Sequence, residues 1–240
     1  MVKTTKDLLV VSKLKKSFKI GSERLHVLRD VELSVKLGEL VALMGPSGSG
    51  KSTLLNIVGG LLEAEDGSVI LGDYEYGTKN PVNLNNLRRN SIGWVFQNFN
   101  LLEHLSILDN VTFALTLSGF SNQEAKARAN SSLDRVGLSD RLDFYPQNLS
   151  GGQNQRVSVA RAISGDRPLL LADEPTGNLD SESGKLIIQL FQELCHDSSN
   201  PISVLMVTHD PVLASNADRI LLLKNGKVIP SDIPIGNRVK

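Results

Sequence analysis

Two hydrophobic periods divide this chain. Leu40–Met44, Leu169–Ala172 and Val204–Val207 are unbroken apolar runs, as expected for strands buried on both faces of a parallel sheet. Leu8–Ser12, Val31–Val35, Ser68–Leu71, Ile92–Phe96 and Arg219–Lys224 also read as strands. The stretch from about 99 to 165 has a helical period instead. There Ser121-Asn122-Gln123-Glu124 is a capping box, Ala125, Ala129, Leu133 and Val136 follow at helical spacing, and Gly137 stops the helix. The pattern predicts an α/β core with a helical lobe inserted in it.

Composition narrows the picture mainly by exclusion. A length of 240 residues, 40% of them hydrophobic, supports one large α/β domain, or a core with a lobe. Lys plus Arg and Asp plus Glu both number 26, with no block of like charge, so no nucleic-acid partner is expected. The single Cys195 excludes an internal disulfide and a cysteine zinc cluster. No apolar run approaches the ~18 residues needed to cross a bilayer, and Met1 to Val11 lacks the apolar segment of a signal peptide. A soluble cytoplasmic protein is expected. The residues 230–240 are polar, hold two prolines and read as a loose tail.

Three motifs carry chemistry. Gly45-Pro46-Ser47-Gly48-Ser49-Gly50-Lys51-Ser52-Thr53 fits G-x-x-x-x-G-K-[ST], between a buried strand and a helix starting near Lys51. Its glycines let backbone N–H groups turn inward around phosphate oxygens. Lys51 adds a charge between β- and γ-phosphates, and Ser52 offers a hydroxyl to Mg²⁺. Leu169–Ala172 buries a strand and delivers Asp173 and Glu174 at its C-terminal end, where ligands of open α/β sheets sit. Leu149-Ser150-Gly151-Gly152-Gln153 puts small residues at the start of a helix that carries Arg156, Val157, Ala160 and Ile163, a second anion-type site.

Together these motifs resemble the nucleotide-binding subunits of ABC transporters, over about residues 8–229. The resemblance implies a P-loop NTPase core of RecA-like type, with a mostly parallel sheet, an antiparallel β portion and an inserted α-helical subdomain at about 99–165. One ATP-binding domain would cover 1–229, followed by the tail. The implied activity is hydrolysis of ATP with Mg²⁺. Asp173 resembles the acid that holds Mg²⁺, and Glu174 the base that orients the attacking water. Gln97 falls where the family senses Mg²⁺ and the water, His209 where a switch histidine meets the γ-phosphate, and Phe18 where a ring stacks on adenine. The resemblance also implies a head-to-tail homodimer, in which Leu149–Gln153 of one subunit faces the γ-phosphate held by the other and Asp180 signals between them.

Two departures stand out. Phe18 replaces the commoner Tyr, and stacking needs only the ring face. Gly177-Asn178 replaces the commoner Ser-Ala before Leu179-Asp180, a variant similar to the lipoprotein-releasing and macrolide-efflux branch. Ser91–Leu101 and Ala172–Asp180 resemble that branch too. The implied partner is a transmembrane permease on another chain, with this chain held on the cytoplasmic side of the membrane, and the branch implies outward movement or lipoprotein release. A regulatory ATPase that moves an extracytoplasmic device, and a non-transport ABC ATPase, are the alternatives. Phe99, Leu101, Leu102 and Leu105 read either as a groove facing the permease or as core of the lobe. His26, His104 and His196 read as surface, Trp94 as core, and Arg88 and Arg89 as a solvated pair.

Overall fold

The computed structural model describes residues 7–78 and 84–235. Among the described residues, ten strands and seven α-helices form two sheets with helices against them. The first sheet is antiparallel, in the order β2-β1-β4-β5: β1 is Asp7–Ile20, β2 Glu23–Lys36, β4 Asp66–Leu71 and β5 Tyr74–Gly77. The second has the order β10-β9-β3-β8-β7-β6, from β3 Leu40–Met44, β6 Ile92–Phe96, β7 Leu169–Asp173, β8 Ser203–Val207, β9 Arg219–Lys224 and β10 Lys227–Pro230. All its pairings are parallel except β9 with β10.

The apolar runs are continuous because both faces of the parallel sheet are covered. Successive side chains of a strand point to opposite faces. Leu40, Ala42 and Met44 of β3 enter one core cluster with Leu170, Ala172, Val204 and Met206. Val41 and Leu43 enter the other with Leu169, Leu171, Leu205 and Val207. The second cluster also holds Leu9, Val31 and Val69 of the antiparallel sheet and Leu54, Leu55 and Ile57 of helix α1, Lys51–Val58.

The first cluster is shared with helices. It takes Val111 and Leu115 from α3 (Ile107–Leu117), Ala125, Ala129 and Leu133 from α4 (Asn122–Arg135), and Val157 and Ala160 from α5 (Gly151–Ile163). Ile187, Ile188 and Phe191 of α6 (Ser181–Cys195) complete it. The helical lobe therefore shares one continuous core with a face of the sheet. α4 begins with the expected capping box: Ser121 Oγ accepts from Glu124 N while Glu124 Oε2 accepts from Ser121 N. α2, Leu84–Ser91, and the short α7, Pro211–Ala214, lie between strands.

Several strands run further than the sequence pattern predicts. β1 and β2 are each 14 residues long. Lys13 and Asp30 take left-handed backbone angles, φ 49° and 54°, and the register shifts between Val11 and Leu14. These irregularities break the period-two alternation that a sequence reading depends on. β5 and β10 were not expected. β10 follows Asn225-Gly226, both at positive φ (53° and 76°), the turn chemistry of a two-residue hairpin. The expected loose tail is partly fixed: Ser231 N donates to Ile220 O and Ile233 rests on the core. Residues 236–240 lie outside the described residues. Arg88 is half-buried and donates to Gly60 O at 2.7 Å, so it is not a solvated partner of Arg89. Trp94 is only partly buried, packed against the second cluster, and His26, His104 and His196 are exposed.

One tight contact joins this core to the phosphate-loop helix. Gly59 ends α1, and a Cβ there would overlap Cζ2 of Trp94, whose ring is stacked on Phe96 at 5.3 Å. The stacked indole has little room to yield. Gly59→Ala is expected to cost about 1–3 kcal/mol of stability, read from urea unfolding.

Candidate functional site

The site is built by strand order. β3, β8, β7 and β6 are consecutive neighbours and all parallel, so the segments that follow them emerge side by side at their C-terminal ends. After β3 comes Gly45–Gly50, after β8 Thr208 and His209, after β7 Glu174, and after β6 Gln97. An open cavity of about 550 Å³ lies where they meet. Ser47, Gly48, Gly50, Lys51, Ser52, Thr53, Gln97, Glu174 and His209 line it, together with Val27 of β2.

The loop's conformation needs its glycines. Gly48 and Gly50 have φ 74° and 102°, and Gly50 caps α1 from the left-handed region. A Cβ on Gly45 would overlap Leu223 O of the neighbouring β9. Lys51 is buried, and its Nζ donates to Gly45 O at 2.9 Å and Pro46 O at 3.1 Å. Ser49 Oγ is buried with no hydrogen-bond partner among the described residues. An orphaned hydroxyl is costly unless something else satisfies it. A loop with an ammonium, a helix N-terminus and an unsatisfied hydroxyl fits a polyphosphate.

The acids have separate environments. Asp173 is hydrogen-bonded to Ser52 and partly buried. Burial pushes its carboxyl above the usual range and Glu174 adds to that, while the Ser52 hydroxyl and the Lys51 charge oppose it. Glu174 stands at φ 49°, a strained angle for a non-glycine residue. Its backbone is pinned, since its N donates to Val207 O and its O accepts from Gly177 N, both at 3.0 Å. Its Oε2 lies 2.5 Å from His209 Nδ1. A carboxylate can only accept there, so Nδ1 carries the proton.

The oxygens of Ser52, Asp173 and Gln97 suit a hard divalent cation, which takes few protein ligands when phosphates and water supply the rest. Asp173 has a testable cost. Its folded pKa is raised, so the folded chain retains the proton longer than the unfolded one. The resulting penalty is absent well below the usual carboxylate range and grows as pH rises through it. Asp173→Asn is expected to raise the unfolding temperature of the nucleotide-free chain at pH 7 while lowering Mg²⁺-dependent ATP affinity. Calorimetry and nucleotide titration read the two effects.

The remaining predicted residues lie elsewhere. Ser150, Gly152 and Gln153 line a different cavity of about 290 Å³, with Arg141, Arg156 and Ser183 among its walls. Ser150 caps α5, accepting from Gln153 N, and Gln153 Oε1 accepts from Ser150 N. Gly151 is exposed and Leu149 packs against the core. Asp180 caps α6, accepting from Glu182 N and Ser183 N. Its carboxyl is held below the ordinary value, chiefly by the Ser183 backbone N–H and then by the Ser183 hydroxyl. Phe18 is exposed on β1 opposite Leu25, with Lys16 Nζ 5.5 Å from its ring centre, and does not line the 550 Å³ cavity. Leu101 packs on the first core cluster, whereas Leu102 is exposed.

Two supporting residues, Gln155 and Arg161, have no signal in the sequence, and a third, Asn178, is visible there only as a departure. Gln155 of α5 is fully buried, and its Nε2 donates to Phe96 O at 3.2 Å and Pro175 O at 2.6 Å. It ties α5 to the residues flanking Gln97 and Glu174. Arg161 donates to Phe99 O at 2.7 Å and also to Asn100 O, gripping the segment that leaves β6. Phe99 and Asn100 both stand at positive φ. Asn178 contacts Gln97 directly.

A glycine-rich loop joining a buried strand to a helix, with acids at the ends of neighbouring parallel strands, defines a P-loop nucleoside triphosphatase. Residues 28–177 match the family described as ABC transporter. The macrolide export ATP-binding/permease protein MacB of Salmonella typhimurium is 42% identical over 92% of this chain. The chain spans about a third (34%) of that relative's length. The ABC transporter ATP-binding protein YvrO of Bacillus subtilis is 40% identical, over 92% of this chain and 96% of its own. Among solved structures, the ATP-binding cassette MJ0796, in a dimeric post-hydrolysis state bound to ADP and Pi, superposes with a TM-score of 0.81 at 38% identity. That match covers 95% of this chain and 99% of the other. The chain belongs to the ABC transporter family and is an ATPase of that family.

Proposed function

We propose that this chain is the energising subunit of a membrane transporter, working as a nucleotide-sandwich dimer. One observation carries the reading: the chain has two anion-type helix ends that open on different cavities. The N-terminus of α1 serves the phosphate loop, while Ser150 and Gly152 of α5 line a separate wall. A second chain placed head to tail would bring its α5 end to the phosphates held by the first, closing two ATP molecules between them. Phe18 would stack on adenine, and Asp180 would lie near the shared boundary. The domain reading goes with this: 1–229 as one ATP-binding domain, with the helices of 99–165 as the lobe that changes orientation.

The chemistry then follows from placement. Lys51 neutralises phosphate charge as it develops in the transition state. Ser52, Asp173 and Gln97 would hold Mg²⁺, which supplies charge neutralisation at the β- and γ-phosphates when bound. Glu174 accepts a proton from the attacking water. His209, with its Nδ1 proton fixed on Glu174, presents Nε2 to the γ-phosphate side and orients the carboxylate.

The partner in this reading is a membrane permease on another polypeptide. No described helix is long and apolar enough to cross a membrane. The chain would sit on the cytoplasmic face of the cell membrane, and similarity to macrolide export proteins favours outward movement or lipoprotein release. Light scattering tests the dimer. The chain should be largely monomeric without nucleotide and shift toward twice that mass with ATP. A dimer indifferent to nucleotide would contradict the reading.

A further inference from the structure

We propose that Asn178 is a positioning residue that fixes which atom of Gln97 faces a bound cation; the inference rests on the Mg²⁺ATP reading above. A side-chain amide has two faces of similar shape, and only the oxygen can ligate a metal. Something must choose between them. The choice is made by a chain of hydrogen bonds that starts from an unambiguous acceptor. Asn178 lies 3.1 Å from the backbone oxygen of Gln97. A carbonyl can only accept, so the atom of Asn178 facing it is Nδ2. That same nitrogen donates to Asn98 Oδ1 at 2.8 Å. The other atom of the Asn178 amide, Oδ1, must then accept, and it takes the Nε2 hydrogen of Gln97 at 3.2 Å. With Nε2 engaged, Oε1 is the atom left for the cavity that Gln97 lines.

Gly177 makes this approach possible. A Cβ there would lie 2.7 Å from Gln97 Nε2 and 3.0 Å from its Cδ, so any side chain would push the amide off Asn178. The loop is also tied to the reacting end of β7, since Gly177 N donates to Glu174 O at 3.0 Å. Gly177 and Asn178 thus work as a pair: one provides the space and the other the polarity. This gives a physical account of the Gly177-Asn178 sequence in this loop.

The test compares the affinity of a non-hydrolysable ATP analogue with Mg²⁺ and with EDTA. The ratio of the two is the Mg²⁺ enhancement. Asn178→Ala should lower that ratio by about 10-fold, the usual scale for losing a group that orients a metal ligand, and leave affinity in EDTA unchanged. Gly177→Ala should do the same by a different route. In a Gln97→Ala background, Asn178→Ala should have no further effect, because Asn178 acts only through Gln97. An unchanged ratio in Asn178→Ala, or an effect that persists without Gln97, would overturn the proposal and leave the Mg²⁺ATP reading standing. A wild-type chain with no Mg²⁺ enhancement would overturn both.

Discussion

Glu174→Gln should cut steady-state ATP turnover by about 10³-fold, within the range general-base removal produces. The amide keeps the size and reach of the carboxylate, and the backbone that holds it at φ 49° is pinned by Val207 O and Gly177 N. What it loses is the ability to take a proton from water. Binding should survive, since Lys51, Ser52 and the loop N–H groups are untouched. His209 Nδ1, 2.5 Å from Oε2, can still donate to an amide oxygen, so the ring keeps its place. Phosphate release and nucleotide titration on one preparation separate the two effects. Normal turnover would remove Glu174 from the base role and direct attention to His209 and Gln97.

Lys51→Ala should remove both binding and turnover, the latter by at least ~10²-fold, since one fixed charge on the phosphates is lost from a low-dielectric site. The same ammonium has a structural task in the nucleotide-free chain. It is buried and bridges Gly45 O and Pro46 O, which lose their donor in the variant. The cost should be about 1–2 kcal/mol, the usual penalty for an abandoned acceptor. Circular dichroism and thermal unfolding would show a folded chain with a lowered midpoint. A variant that still binds ATP with wild-type affinity would contradict the placement of the phosphates on this loop.

The parts of this protein that rest on unbroken apolar runs could be read from sequence. Leu40–Met44 and Leu169–Ala172 are strands because a run with no polar side has to be buried on both faces. The motifs after them fall at strand ends for the same reason. Long strands with internal kinks were not legible: Lys13 and Asp30 interrupt the alternation that would have extended β1 and β2. The hairpin into β10 has its turn signal in the sequence, Asn225-Gly226. Polar supports inside the fold were hidden for a different reason. Gln155 on a helix reads as a solvated face until the packing shows its amide donating to the carbonyls of Phe96, which ends β6, and of Pro175, in the loop beyond β7. Asn178 could be seen as a departure in sequence, but its geometry against Gln97 exists only in three dimensions. Asp180 could have been recognised as a cap, since Asp before Ser-Glu-Ser is a helix start.

The central claim is that the α5 end of one chain completes the phosphate site of another. Gly151→Asp in the Glu174→Gln background tests it most directly. Gly151 is exposed at the first position of α5, at an ordinary backbone angle, and a carboxylate there suits the helix dipole. The fold should survive, since the tightest contact of a Cβ there is the end of the Leu179 side chain, Cδ2 at 3.2 Å, which has to shift only slightly, while a phosphate brought to the same place would be repelled. Light scattering with Mg²⁺ATP should show Glu174→Gln as a stable dimer, and the double variant as a monomer that still binds one nucleotide per chain. A double variant that dimerises as readily as Glu174→Gln would contradict the shared site.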